Sequence, residues 1–345
     1  MDVRGSGVTD ESDPTRSNTM NSEFDEDSSL IAQLENPEAS GRRSFLQKLG
    51  GAGIGAAALL TGMQSAQGAL MIPPFPGNGS PRLFAGPRRD AAVLNFALNL
   101  EYLEAEYYLF ATTGAGLDAT TIATTGAGTK GTVLVKEGST KVVFSTPAIE
   151  DYANEIASDE ANHVRFLRAA LESVHRQPVA RPQIDLVGSF NALGGLLGIG
   201  NFDPFASEIN FLLGAFIFED VGVTAYKGAS PLVNNKAFLE AAAGILGVEA
   251  YHAGSIRTLL YQRGTDIQGV VNQISAIRAS LDHLPAGATP LDQGILVGGH
   301  ANLIPTDSNS VAFSRSTRQV LNIVYGGANA TKGLFYPNGM NGEIR

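Results

Sequence analysis

Twice in this 345-residue chain a glutamate stands three positions before a histidine: Glu160 with His163 in SDEANHVRFL, and Glu249 with His252 in GVEAYHAGSI. With 18 Glu and 5 His in the whole sequence, fewer than one such pair is expected by chance. Residues three apart share one face of a helix, so the two side chains of each pair can reach a single point. The helical stretch before each pair carries a glutamate seven residues ahead of a tyrosine: Glu101 and Tyr108 in LNLEYLEAEYYLF, Glu219 and Tyr226 in AFIFEDVGVTAYKG. Seven residues are two turns less about 20°, which sets each Glu beneath a Tyr on one face. The order Glu-x6-Tyr, Glu-x-x-His therefore occurs twice, as an internal two-fold repeat of helix pairs.

The neighbours of these carboxylates on their own helices are apolar. Leu94, Leu98 and Ala105 surround Glu101, and Leu212, Ala215, Phe216 and Val223 surround Glu219. Such acids point into a core, where an ionised carboxylate without a partner is prohibitively costly. Four buried Glu and two His call for cations between them, and two divalent metals meet that need. Glu104, one turn beyond Glu101, also has apolar neighbours (Val93, Ala97, Leu100), and helix phase does not separate the two. The repeat favours Glu101, whose counterpart is Glu219, over Glu104, whose counterpart is Gly222. Glu106 is expected to face solvent, Asp159 and Asp220 to point away from the ligands they adjoin, and His175, His283 and His300 to lie at the surface.

The remaining punctuation fits an all-α fold. Long helices are expected over about 88–112, from Pro147 to about His175, from Asp203-Pro204 to about Gly228, and from Ser230-Pro231 to Gly264. Three of these starts share one device, a capping side chain followed by proline. A fifth helix is expected over 266–281, and a short one over 314–327. The insertion at 114–145 contains GTVLVKEGSTKVVFS, whose alternation around Glu137-Gly138-Ser139 predicts a β-hairpin. Residues 282–313 read as Gly/Pro-rich and irregular, and 282–345 as a C-terminal extension of the 88–281 bundle that carries the short helix.

The first 87 residues differ in character. Residues 1–40 are polar and acidic, too poor in apolar side chains to offset chain entropy, and read as a disordered leader. Residues 41–68 place Arg42 and Arg43 before Phe45 and Leu46, then a short Gly/Ala-rich apolar run ending in Ala66-Gln67-Gly68. This resembles a twin-arginine export signal, and the run is too short for a lasting membrane span once the signal is cleaved. Residues 69–87 form a Pro-rich linker. A net charge of −10 argues against a nucleic-acid partner. The absence of Cys excludes disulfides and thiolate metal sites.

One glutamate from each of two helices and Glu-x-x-His from each of two others is the ligand set of ferritin-like di-metal carboxylate bundles. From residue 88 to at least 262 the chain resembles that superfamily, and within it the exported group that includes desiccation-related proteins. The resemblance implies an antiparallel four-helix bundle. Its ligands for two iron or manganese ions would be Glu101, Glu160, His163, Glu219, Glu249 and His252, with Glu160 and Glu249 bridging. Tyr108 and Tyr226 would be catalytic, as hydrogen-bond donors to ligands or one-electron relays. It also implies partners (metal ions with oxygen or peroxide), a ferroxidase or peroxide-removing role under oxidative or drying stress, and export to the periplasm, cell surface or medium. A second function class is a structural or protective cell-surface protein whose metal only stabilises. A homo-oligomer is compatible with the sequence, although the insertion and both terminal additions disfavour an iron-storage cage.

Overall fold

The computed structural model of the chain describes residues 86–345. The acidic leader, the export segment and the linker up to residue 85 lie outside the described residues. Four long helices carry the repeat: α1 (Gly86–Thr113), α2 (Pro147–Ser173), α4 (Glu208–Ala229) and α5 (Lys236–Tyr261), with the short α3 (Gly188–Leu196) between α2 and α4. The helix α6 (Thr265–Leu281) follows α5 almost at once, and α7 (Thr317–Tyr325) lies near the C-terminus.

Packing runs by pairs, α1 along α2 and α4 along α5, with the pairs facing each other across the core. Cross-helix bonds give the directions. Asn95 accepts from Val179 N while Arg168 donates to Tyr102, so the chain runs down α2 as it runs up α1. Tyr107 donates to the carbonyl of Phe211, and Tyr226 reaches back to Glu101. All four helices are thus antiparallel to their neighbours, the bundle expected from the sequence. α4, together with the turn after it, is apolar and long enough to cross a membrane, but it is buried as the core helix of the bundle.

The helix starts are only partly where the proline device puts them. Thr146 precedes Pro147 as expected, yet its side chain makes no cap bond. Its hydroxyl instead donates to Glu208 in the first turn of α4 (3.0 Å). α4 starts at Glu208 rather than at Asp203, with Ser207 accepting from Asn210 N. Asp203 Oδ1 accepts from the backbone of Phe205 (2.9 Å), a local turn that competes with helix. α5 starts after Asn235, not at Ser230-Pro231, which form a single 3-10 turn. Asp90 on α1 accepts from Asn234 N and Asn235 N (both 2.9 Å) and ties that link to α1.

The hairpin expected around Gly138 does not form. Strand β1 (Val133–Leu134) pairs in parallel with β2 (Ile184–Asp185), and no strand forms between Gly138 and α2. Beyond that glycine the chain bonds the C-terminal end of α1 instead: Val142 N donates to Ala111 O (2.8 Å) and Thr140 Oγ1 to Phe110 O (3.1 Å). The last carbonyls of a helix lack partners within it, and satisfying them outweighs local pairing. Glu106, expected at the surface, is buried beneath this insertion, where Arg181 donates to it. α3, which the sequence reading did not anticipate, begins after an Asp185 turn that accepts from Val187 N and Gly188 N.

The C-terminal region is tied into the bundle by buried ion pairs. Asp220 (α4) accepts from Arg257 (α5) and Arg278 (α6), each at 2.7 Å. Arg278 also pairs with Asp292 (2.9 Å), and Arg315 joins Asp292 (2.8 Å) to Asp282 (2.7 Å). Gly228 permits this closure, since a Cβ there would collide with the carbonyl of Arg315. Farther on, Tyr336 donates to Asn99 O (2.7 Å) and seats the tail on α1. Short strands β3 (Leu296–Val297) and β4 (His300–Ala301) form a small antiparallel pair, and Ser316 and Gln319 cap α7 reciprocally.

Breaking a buried pair leaves an uncompensated charge and costs about 3–5 kcal/mol. Arg315→Met should therefore lower Tm by many degrees in a thermal melt. Arg88→Ala, which removes an exposed pair with Glu343, should shift it hardly at all.

Candidate metal centre

Midway along the bundle the four long helices bring the repeat's side chains to one place. Glu101 (α1), Glu160 (α2), Glu219 (α4) and Glu249 (α5) are all at most 1% exposed, and His163 and His252 are 8% and 6% exposed. Two groups of donor atoms result: Glu101, Glu160, His163 and Glu249 in one, Glu160, Glu219 and His252 in the other. Within each group the donor atoms lie within 4.8 Å of one another. Glu160 belongs to both. Glu249 joins only the first, because its carboxylate leans toward Gly222 on α4, where a Cβ would collide with Oε2.

The distances show how the donors face inward. His163 Nδ1 stands 3.2 Å from Glu101 Oε2, 3.2 Å from Glu160 Oε2 and 3.9 Å from Glu249 Oε1. His252 Nδ1 stands 2.9 Å from Glu160 Oε1 and 3.5 Å from Glu219 Oε2. Each tyrosine crosses to the other half of the repeat. Tyr226 donates to Glu101 Oε1 and Tyr108 donates to Glu219 Oε1, so in both acids the second oxygen is left for the histidine side.

Both oxygens of Glu249 have no hydrogen-bond partner, and Glu160 Oε1, Glu219 Oε2 and His252 Nδ1 face one another without the geometry of a hydrogen bond. Buried polar atoms are almost always satisfied, and these orphans converge on one volume. Carboxylate oxygens and imidazole nitrogens are metal donors. The residues fit a metal.

Without a cation the cluster balances itself with protons. Burial raises the Glu101 carboxyl to about 7, against the pull of His163. Burial, then the neighbouring carboxylates, lifts Glu104 and Glu249 well above the ordinary range. Glu219 is raised by burial against the pull of His252. Burial by itself would lower His163, but Glu101 and Glu160 overcome it and push the imidazole up to about 12. His252 is raised likewise, chiefly by Glu219. Glu160 alone of these acids is lowered, because the pull of both histidines outweighs its burial.

Two neighbours matter beside these six. Glu104 is buried but stands outside both donor groups, close to Gly222 and Glu249. Asp159, expected to point away, lies 3.2 Å from His252 Nε2 and can fix that ring. It sits one turn before His163, so helix phase carried a signal for it. The equivalent position in the second half of the repeat is Val248. Asp220 turns away from the centre to its arginines, and His175, His283 and His300 are exposed.

Two helix hairpins delivering Glu, Glu-x-x-His, Glu and Glu-x-x-His into a buried pocket define a carboxylate–histidine four-helix bundle. The model of the ferritin-like domain matches residues 89–262, and the chain belongs to that family. It is 30% identical to the desiccation-related protein PCC13-62 of Craterostigma plantagineum over 260 residues, which is 68% of this chain and 77% of that protein. It is 25% identical to the ferritin-like catalase Nec2 of Nesocodon mauritianus over 268 residues, 74% of this chain and 84% of that protein. No solved structure matches the chain.

The sign of the pH dependence follows. Above about pH 4.5 the folded metal-free chain keeps a proton on Glu101 that the unfolded chain has lost, and above about 6.5 it keeps one on His163. The folded state then binds more protons, so stability falls as pH rises. Thermal melts of chelator-treated protein should give a lower Tm at pH 8 than at pH 5.5. Stabilisation by added metal should be larger at the higher pH, because the ligands must shed protons to bind.

Proposed function

We propose that the chain is an exported dinuclear iron or manganese protein that reacts with dioxygen or peroxide, oxidising ferrous iron or removing peroxide. The observation that carries this reading is that two donor groups share Glu160 in a volume closed to water. Glu101, Glu160, His163, Glu219, Glu249 and His252 are the residues that would hold the ions. Carboxylate and imidazole donors suit iron and manganese alike. Two such ions, when bound, supply two-electron exchange with dioxygen or peroxide.

The chain's own part is orientation and exclusion. Glu160 offers one oxygen to each histidine side. Tyr226 and Tyr108 hold Glu101 and Glu219 by their Oε1 atoms and aim the Oε2 atoms inward. Both phenols are themselves kept protonated by burial and the adjoining carboxylates, which also suits a one-electron relay. Asp159 steadies the His252 ring from outside. Likeness to a ferritin-like catalase supports the peroxide branch. The Arg42-Arg43 segment with its short apolar run supports export by the twin-arginine route to the periplasm, cell surface or medium.

A second reading draws on the likeness to a desiccation-related protein. In it the metal clamps the bundle and the protein protects by persisting. One experiment separates the two. Reconstituted protein given Fe(II) and oxygen should develop ferric absorbance, and Glu160→Ala should abolish it. Tyr226→Phe should keep its metal and slow the reaction about tenfold, the usual scale for losing a bond to a ligand. Metal retained with no turnover in the unaltered protein would favour the protective reading.

A further inference from the structure

Two cavities lie end to end between the bundle and its C-terminal additions. The outer one, about 510 Å³, sits among α3, α4, α6 and α7, with Leu193, Leu197, Ile274 and Ile277 in its walls. It reaches the surface beside Leu196, which is 68% exposed. The inner one, about 20 Å³, is walled by Leu100, Leu103, Val221 and Val324 and ends on Glu104 and Gly222. Ile217, Ile323 and Phe335 line both cavities, so the partition between them is one side chain thick.

The inner cavity is large enough for a water or a diatomic molecule, but a buried water needs two to four polar partners. Glu104 is the only polar side chain in its lining, so the space favours an apolar guest. Gly222 decides where the cavity leads. A methyl group at that position would fill the end of the cavity and collide with Glu249 Oε2. The glycine therefore leaves the cavity abutting a carboxylate whose two oxygens have no hydrogen-bond partner. Ions and hydrogen peroxide would surrender hydrogen bonds on entering such walls, while dioxygen has none to lose.

We propose that the paired cavities are a passage that brings small apolar molecules, dioxygen foremost, from the surface beside α3 to the Glu249 side of the carboxylate centre. This rests on the reading that the centre consumes an oxidant, and deepens it by favouring dioxygen over peroxide on this route. The walls from α6, α7 and Phe335 lie beyond residue 262, outside the matched ferritin-like domain, so the passage forms only where the C-terminal segment closes over the bundle.

Xenon tests the passage without any metal. Crystals of the metal-free protein under xenon pressure should show the gas in both cavities. Ile217→Trp, which fills the partition, should remove it from the inner one. In the iron-loaded protein the same change should raise the dioxygen concentration for half-maximal oxidation at least tenfold, while peroxide-driven oxidation changes less than twofold. Ala192→Trp, on the exposed rim of the outer cavity, offers a milder block should Ile217→Trp fail to fold. An inner cavity without xenon in the unaltered protein overturns the proposal, as does a blocked variant whose dioxygen dependence is unchanged. If the unaltered protein oxidises nothing, the proposed function falls, and the xenon maps still decide whether the passage exists.

Discussion

Five carboxylates and two imidazoles share one water-poor volume at the centre of the bundle, and among the described residues the four ligand glutamates pair only with histidine. Ionised acids cannot remain there uncompensated. The metal-free chain answers with protons: an acid held at about 7 on Glu101, others raised well above the ordinary carboxylate range on Glu104 and Glu249, and an imidazolium on His163. That compensation is a compromise, since five donor atoms still make no hydrogen bond. Cations placed among them would satisfy the donors and displace the protons together. The alignment of the four helices serves this constraint, because each must deliver its acid at the same level of the core.

The two halves of the repeat depend on each other. Each tyrosine secures the glutamate of the opposite half, so neither hairpin could orient its terminal ligand alone. The symmetry is broken at two positions beside the centre. Glu104 faces Gly222 across the core, where the missing side chain leaves room for the Glu249 carboxylate, and Asp159 has only Val248 as counterpart. Outside this centre, charge is handled by a different rule. Three buried arginines and three aspartates pair directly through Asp220, Asp282 and Asp292. They lock α6 and the C-terminal segment onto α4, beside the residue that follows Glu219.

Helical periodicity made the bundle and the convergence of the repeat legible, because a face three and seven residues long needs no tertiary information to be seen. Long-range partners hid the rest. Glu106 looked solvent-facing because its partner Arg181 lies 75 residues away, on the connection between the pairs. The alternation around Gly138 looked like a hairpin because the unsatisfied carbonyls of α1 that capture Thr140 and Val142 are invisible in a local window. Asp203 looked like a cap, but its side chain closes a turn of its own. Phase alone could not separate Glu101 from Glu104. The structure puts both in the core and gives them different neighbours, Tyr226 and His163 for one, the apolar inner cavity for the other.

Anomalous diffraction from crystals of the protein loaded with Fe(II) or Mn(II), collected at the matching absorption edge, tests the central claim most directly. The account predicts two peaks on either side of Glu160, one against Glu101, His163 and Glu249, the other against Glu219 and His252. An empty map at full metal excess, or metal bound only at the surface, would contradict it.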